Sequence, residues 1–288
     1  MIDHVLESRP HDLGGFDVGR VLPAITIRNV GPFVFFDHFG PATLAAGFPQ
    51  AMDVRPHPHI GLSTLTYLLE GEITHRDSLG FAVPIRPGEV NWMTAGRGVT
   101  HSERFEALRR DGGVLHGLQA WIALPDGAED VEPAFAHHGP ADLPTYEFPG
   151  LWARLLAGEA FGAKAAVKTH SPMFYVHWRL SAGAQAQIPA QYSQRAAFVA
   201  SGSVEIAGRA FTPGQMPVFA AGDPILVTGI GDADVMLLGG EPVGPRFLDW
   251  NFVASSQGRI QQAKADWRAG RFKLPDHDDG EFIPGPEV

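Results

Sequence analysis

The stretch RPHPHIGLSTLTYLLEGEITHRDSLGFAVPIRPGEVNWMTAGRGVTHSE, residues 55–103, decides how the rest of the chain is read. It carries His57 and His59 at one end and His101 and Glu103 at the other. Each pair is spaced i, i+2. In a β-strand successive side chains point to opposite faces, so both members of a pair face the same way and two strands can present four ligands to one point. Pro56 and Pro58 hold the first pair extended. Between the pairs, Leu62 to Leu69 and Glu72 to Asp77 alternate and carry Thr, Tyr and Ile, as the strands of an antiparallel meander do. Turn residues fall where the meander must reverse, at Glu70-Gly71, Ser78-Leu79-Gly80, Pro87-Gly88 and Ala95-Gly96.

Working outward, 288 residues suffice for one large β domain or two smaller ones with a full core. Thirty-four Gly and 24 Pro, spread along the chain, fit many short strands joined by tight turns, and the chain reads as mostly β. The formal net charge of −10, without a concentrated Lys or Arg run, argues against direct contact with nucleic acid or an anionic membrane. The absence of cysteine excludes disulfides, thiolate metal sites and a Cys nucleophile, so any metal must be held by His and carboxylate. The amino terminus has no basic segment followed by an apolar run. No stretch approaches the ~20 apolar residues of a membrane span, and the cytoplasm is the expected location.

Val21 to Phe39 suggests two strands, the second the aromatic run Pro32 to Gly40, and Pro41 to Met52 a loop. After the polar segment Arg104 to Gly113, Val114 to Leu124 reads as a strand, and the proline-rich Pro125 to Pro149 as a connection. The second half then repeats the first. Gly202 matches Gly71, and Pro213-Gly214 and Ala221-Gly222 follow Pro87-Gly88 and Ala95-Gly96 at a constant offset of 126. That offset places Val227 opposite His101 and Gly229 opposite Glu103, with the region around Ile188 and Ala190 in place of His57 and His59. The second copy has the scaffold without the ligands. A helix is expected from about Ser256 to Ala269, with Ser256 as N-cap, Ile260, Ala263 and Trp267 on one face and Gly270 as the stop, followed by an acidic, proline-rich tail. The expected domains are residues 1–130, a metal-binding barrel, and residues 131–288, a ligand-free barrel with the helix and tail.

For His4, His38, His75, His116, His137, His138, His170, His177 and His277 the plain reading is a hydrogen-bonded surface or core imidazole, although His75 and His116 fall on neighbouring strands from which they could approach the site. The joint arrangement of His57, His59, His101 and Glu103 has few structural uses and points to one divalent transition metal. Imidazole and carboxylate suit iron, manganese, cobalt, nickel, copper or zinc. Iron(II) with open positions implies oxygen chemistry; zinc implies hydrolysis or a structural role. Glu103 serves either as a ligand or, once displaced by a chelating substrate, as general base. No Gly-x-Ser-x-Gly elbow or phosphate loop is present, and Ser102 points away from its neighbours on a strand.

The segments His57-Pro-His-Ile-Gly61, Tyr67 to Gly80, Ile85-Arg-Pro-Gly88, Trp92-Met-Thr-Ala-Gly96, His101-Ser-Glu103 and His116 to Trp121 resemble those of the pirin family of the cupin superfamily. So do Trp250-Asn-Phe-Val253, Gln262 to Gly270 and Phe282-Ile-Pro284. The resemblance implies an all-β bicupin, two tandem jelly-roll barrels with a short C-terminal helix and a metal, Fe(II) foremost, in the first barrel alone. Carried over by position, His57, His59, His101 and Glu103 are the implied metal ligands, and Glu103 the implied catalytic group. Leu62-Ser63-Thr64 stands where the general cupin pattern has a glutamate, a role Glu103 takes from the second motif.

Members of the family are described as quercetin 2,3-dioxygenases and as redox-sensitive transcriptional co-regulators. The first implies a small aromatic substrate and O2: an enolic diol loses a proton to Glu103, oxygen adds across the ring, and the ring opens with loss of carbon monoxide. The second implies a protein partner that reads the Fe(II)/Fe(III) change. Phe33, Phe35, Phe36, Trp92 and Trp121 are candidates to line a substrate cavity, with core packing as the plainer reading of each.

Overall fold

The alternating segments between the ligand pairs fold as strands. The computed structural model describes residues 1–12 and 16–286, and it is built mostly of strands, with α-helices at Glu106–Asp111 and Gln257–Arg268 and short 3-10 helices at Gln50–Met52 and Pro140–Asp142. In the ligand-bearing barrel, Val54–His59, Val99–Arg104, Ile73–Asp77 and Ala82–Ile85 form a four-stranded antiparallel sheet in that order. A second sheet runs Ala134–His138, Val90–Thr94, Leu62–Glu70, Gly113–Ala123, Phe33–Leu44, Asp17–Leu22 and Arg9–Asp12. Side chains from both sheets meet in one apolar cluster, with Leu68 and Leu115 against Ile73, Ile85 and Phe105.

The second barrel repeats this order. Gln185–Ile188, Ile225–Gly229, Val204–Ile206 and Arg209–Phe211 form the smaller sheet, and the larger runs Ile2–Glu7, Gln215–Phe219, Gln194–Ser201, Ala233–Gly240, Met173–Leu180, Leu151–Ala160 and Thr145–Phe148. Its interior is filled by side chains such as Phe174, Trp178, Ile188, Phe211 and Val227. The matched glycines read from the sequence occupy equivalent turns: Gly71 has φ +92° and Gly202 φ +69°, a region that favours residues without a Cβ. A Cβ at Gly202 would lie 1.9 Å from the Asp232 carbonyl oxygen.

The division of the chain differs from the expected cut at residue 130. One compact unit comprises His11–Val18, Phe39–His137 and Val243–Val288; the other comprises Met1–Pro10, Gly19–His38 and His138–Pro242. The helix and tail, expected with the second barrel, belong to the unit of the ligand sheet because their apolar face is buried there. Phe252, Ala254, Ile260, Ala263 and Trp267 pack with Ile60, beside the first ligand pair. Gly61 admits the approach, since a Cβ there would sit 2.0 Å from the Val253 carbonyl oxygen. The helix begins at the expected cap, where the Ser256 hydroxyl accepts the Arg259 backbone N–H at 3.3 Å.

The tail then returns to the ligand sheet. The Ile283 N–H donates to the Pro56 carbonyl at 2.8 Å. Arg104, on the reverse face of the second ligand strand, donates to Asp278 Oδ1 at 2.6 Å and to Glu281 at 3.0 Å. The expected connection also holds more structure than its prolines suggest, since it supplies the edge strand Ala134–His138.

Candidate metal centre

Strand register brings the first three expected ligands together. Across the two ligand strands His101 pairs with His57, and Val99 with His59. The ring centroids of His57 and His101 lie 4.4 Å apart, those of His57 and His59 4.9 Å, and those of His59 and His101 5.0 Å. Among the described residues these three form a group whose ligand atoms all lie within 4.8 Å of one another. All are buried.

The tautomers follow from the partners. His57 Nδ1 lies 2.9 Å from the Arg55 carbonyl oxygen, and His59 Nδ1 lies 3.0 Å from that of Asn251. A carbonyl only accepts, so each Nδ1 carries the hydrogen and each Nε2 keeps a lone pair. Burial lowers the His57 imidazole to about 4, and burial together with the neighbouring rings lowers His59 and His101 well below the ordinary value. The three rings are therefore neutral at pH 7. His59 Nε2 and His101 Nε2 face each other at 3.1 Å. Either a hydrogen carried by a neutral His101 on Nε2 or a cation between the two nitrogens fits that contact. The donor set fits a divalent transition metal, and imidazole nitrogen alone does not select which.

Glu103 is placed differently. The pairing slips between His101 and Glu103, so that Glu103 lies opposite Val54, and its carboxyl is not a member of the close histidine group. Gln119 Nε2 donates to Glu103 Oε1 at 3.4 Å, and Gln119 is itself fixed by the Thr66 hydroxyl donating to its Oε1 at 2.6 Å. Burial pushes the Glu103 carboxyl up to about 7. The arrangement offers three neutral nitrogen donors beside a carboxyl poised to take or release a proton near neutral pH.

Of the aromatic candidates, Trp121 stands edge-on to His59 with centroids 5.0 Å apart. Trp92 is buried and donates its indole N–H to the Thr94 hydroxyl at 3.0 Å. The Phe33–Phe36 run belongs to the other unit: Phe33 and Phe36 pack on Tyr175, Phe36 also on Phe198, and Phe35 lies under the Arg20 guanidinium. Those rings are core of the second barrel's unit, as the plainer reading had it.

Sequence reasoning missed three residues. His75, taken as an ordinary imidazole, is buried with its Nδ1 at 3.3 Å from His101 Nδ1. Its i, i+2 spacing to Asp77 was an available signal. Asn251 acts through its backbone and left none in residue type. Gln119, two residues before the end of the His116 to Trp121 motif, could have been flagged as a strand amide.

Residues 15–122 match the model of the Pirin family, and residues 175–273 match that of the Pirin C-terminal cupin domain. The chain belongs to the pirin family. It is 62% identical over 288 residues to a Pirin-like protein of Caulobacter vibrioides, covering 100% of both chains. It is 31% identical to human Pirin, covering 92% of this chain and 90% of that one. Among solved structures it is similar to a quercetin 2,3-dioxygenase from Acinetobacter baumannii, with a TM-score of 0.91 and 34% identity over 99% of this chain and 95% of that one. As a pirin, it carries two cupin barrels, and its histidine cluster lies in the first.

Proposed function

We propose that this pirin is a metal-dependent dioxygenase acting on a flavonol or related enolic aromatic, with Fe(II) as the working metal. The observation that carries the reading is the pairing of three neutral, convergent imidazoles with a carboxyl raised to about 7 beside them. Likeness to the Acinetobacter quercetin 2,3-dioxygenase supports it. His57, His59 and His101 would hold the ion, with Glu103 as fourth ligand before substrate enters. Bound Fe(II) would supply the capacity to activate O2 for insertion into the substrate ring.

The chain's own groups do the rest. Glu103 takes the enolic proton and returns it, its carboxyl being raised by burial to about 7 in the metal-free protein. The Gln119 amide holds Oε1, which leaves Oε2 to meet the hydroxyl. Trp121 covers one side of His59 with an apolar surface. In the overall reaction both atoms of O2 enter the products, the heterocycle opens, and carbon monoxide leaves. The reducing cytoplasm is the location this reading assigns.

The test is oxygen uptake and carbon monoxide release when quercetin is added to protein loaded anaerobically with Fe(II), with Glu103→Gln loaded alike. Turnover lost in the variant is the expected result. No turnover at verified occupancy with iron, manganese, cobalt, nickel or copper overturns the dioxygenase.

One observation favours a second reading, a redox-sensing protein that acts on a partner without turnover. The second ligand strand carries Ser102 and Arg104 on the face opposite His101, and both are bonded to Asp278 of the tail. A change at His101 would be felt by a surface segment through one strand. Fe(II) and Fe(III) forms with identical tail protection in hydrogen exchange would remove this reading.

A further inference from the structure

The three imidazoles at the centre differ in what holds their outer nitrogens. His57 and His59 each donate Nδ1–H to a backbone carbonyl, at 2.9 and 3.0 Å. His101 has no carbonyl there. Its Nδ1 meets the ring of His75, Nδ1 to Nδ1 at 3.3 Å. The other nitrogen of His75, Nε2, lies 3.0 Å from Asp77 Oδ2. Asp77 is wholly buried and its second oxygen is occupied, accepting the backbone N–H groups of Leu79 at 2.9 Å and Phe81 at 3.1 Å. Strand register builds this row: His101 lies opposite Asp77 and Glu103 opposite His75, so the i, i+2 spacing puts His75, Asp77 and His101 on one face. Phe135 stacks on His75 with the rings 4.4 Å apart and 12° from parallel, which fixes its plane.

The hydrogens along this row are determined from the carboxylate inward. A carboxylate only accepts, so His75 Nε2 bears a hydrogen. In that tautomer the His75 lone pair is on Nδ1, and the 3.3 Å contact then places a hydrogen on His101 Nδ1. His101 Nε2 is left bare and faces His59 Nε2. We propose that His75 and Asp77 are positioning residues that lock His101 in its Nδ1–H tautomer and orientation, so that Nε2 is presented to the metal. They act through His101 and touch no substrate. A carboxylate reached through a second imidazole also makes His101 a stronger donor than its two carbonyl-bound neighbours, the effect expected of groups behind a metal ligand.

The inference rests on the metal reading above, and the test separates the two. In metal-free protein, 15N-resolved histidine spectra report which ring nitrogen carries hydrogen. The expected result is His101 as the Nδ1–H tautomer, and an Nε2–H form overturns the proposal whatever the metal does. In the second arm, Ni(II) and Co(II) affinities are measured by chelator competition, with the ligand-field spectrum as companion. His75→Phe keeps the ring over Phe135 and removes the acceptor. It should weaken binding by ~10–100-fold and shift the spectrum, whereas His75→Asn, whose Oδ1 can stand where Nδ1 stood, should recover most of the loss. Wild-type affinity and spectrum in His75→Phe overturn the proposal. A wild-type protein that binds no metal yet shows the Nδ1–H tautomer upholds the hydrogen-bonded row and sinks the metal reading instead.

Discussion

Where the first barrel holds three imidazoles, the second holds Ala186, Ile188 and Val227. The equivalence is read from register. Val227 pairs with Ala186 and Ile225 with Ile188, as His101 pairs with His57 and Val99 with His59. This corrects the placement near Ile188 and Ala190 by two residues, since the connection after the strand is longer in the second copy, running from Ile188 to Gln194 against His59 to Leu62 in the first. Ile188 and Val227 are completely buried in the apolar interior, each gaining roughly 1.5–3 kcal/mol from that burial. The same sheet order thus closes around packed methyl groups in one barrel and around lone pairs in the other. The sheet order itself therefore does not depend on the imidazoles, since the second barrel has it without them.

The sharpest way to break that comparison is to write the second barrel's residues into the first. A His57→Ala, His59→Ile, His101→Val protein should bind no measurable metal, and His101→Val alone should lose ~100-fold or more, since apparent affinities of ~10–16 kcal/mol are shared among about four ligands. Metal analysis after dialysis reads the loss. Thermal melting of the metal-free forms should show the triple variant as stable as wild type or more so; an unfolded variant would mean the imidazoles are structural.

Next in size is the reverse face. Arg104 is 4% exposed in its side chain and joined to Asp278, Glu281 and Asp53, whereas Ile230, its equivalent at the constant offset of 126, is 51% exposed. Arg104→Ala should cost about 3 kcal/mol in denaturant unfolding, because it leaves the buried Asp53 carboxylate without that partner, while Ile230→Arg should change stability by less than ~0.5 kcal/mol.

Acid and alkali should separate the two barrels. In the second, hydrogen bonds from His177 and Ser201 overcome burial and hold the Asp234 carboxyl down to about 2, and burial lowers the His177 imidazole. A depressed carboxyl contributes stability above its unfolded value and loses it as pH falls toward 2. That term is at most about 2 kcal/mol, and lowering His177 adds a loss of the same sign below about 6.5. Asp234→Asn should flatten the acid limb of the stability curve. At Glu103 in the first barrel the sign reverses, while the lowered imidazoles of that barrel add an acid-side loss of the same sign as that of His177. Glu103 is raised to about 7, so the metal-free protein loses stability as pH rises through 7.

The smallest effect follows from the same carboxyl. At pH 7, metal binding should release about half a proton if Glu103 becomes a ligand, and none from imidazoles that are already neutral. Calorimetry in buffers of different ionisation enthalpy counts it, and zero release would take Glu103 out of the coordination sphere.

Much of this was legible because a strand has period two. His57, His59 and His101 converge as their spacing says, and the repeat of turn glycines at 71 and 202 announced two copies of one sheet order. At Glu103 the pairing with the first ligand strand slips because that strand carries an extra residue between His57 and Val54, so the carboxyl stands outside the close histidine group. Partners that act through long-range contact were not readable. The tail's attachment to Arg104 spans 174 residues and depends on where the chain returns, which local pattern does not encode. The spacing of His75 to Asp77 puts the two on one face of a strand, but that His101 lies opposite Asp77 is known only from register.

The bond from His59 to the Asn251 carbonyl spans 192 residues, and it sets a clock on assembly. At ~5–20 residues per second, a ribosome needs roughly ten to forty seconds to make the chain between them. For most of that interval, once residue 101 has been made, His57, His59 and His101 have all been synthesised while His59 lacks the acceptor that turns its Nε2 inward. The nascent first barrel is therefore a poor trap for passing metal ions, and the centre matures only when nearly the whole polypeptide has left the ribosome.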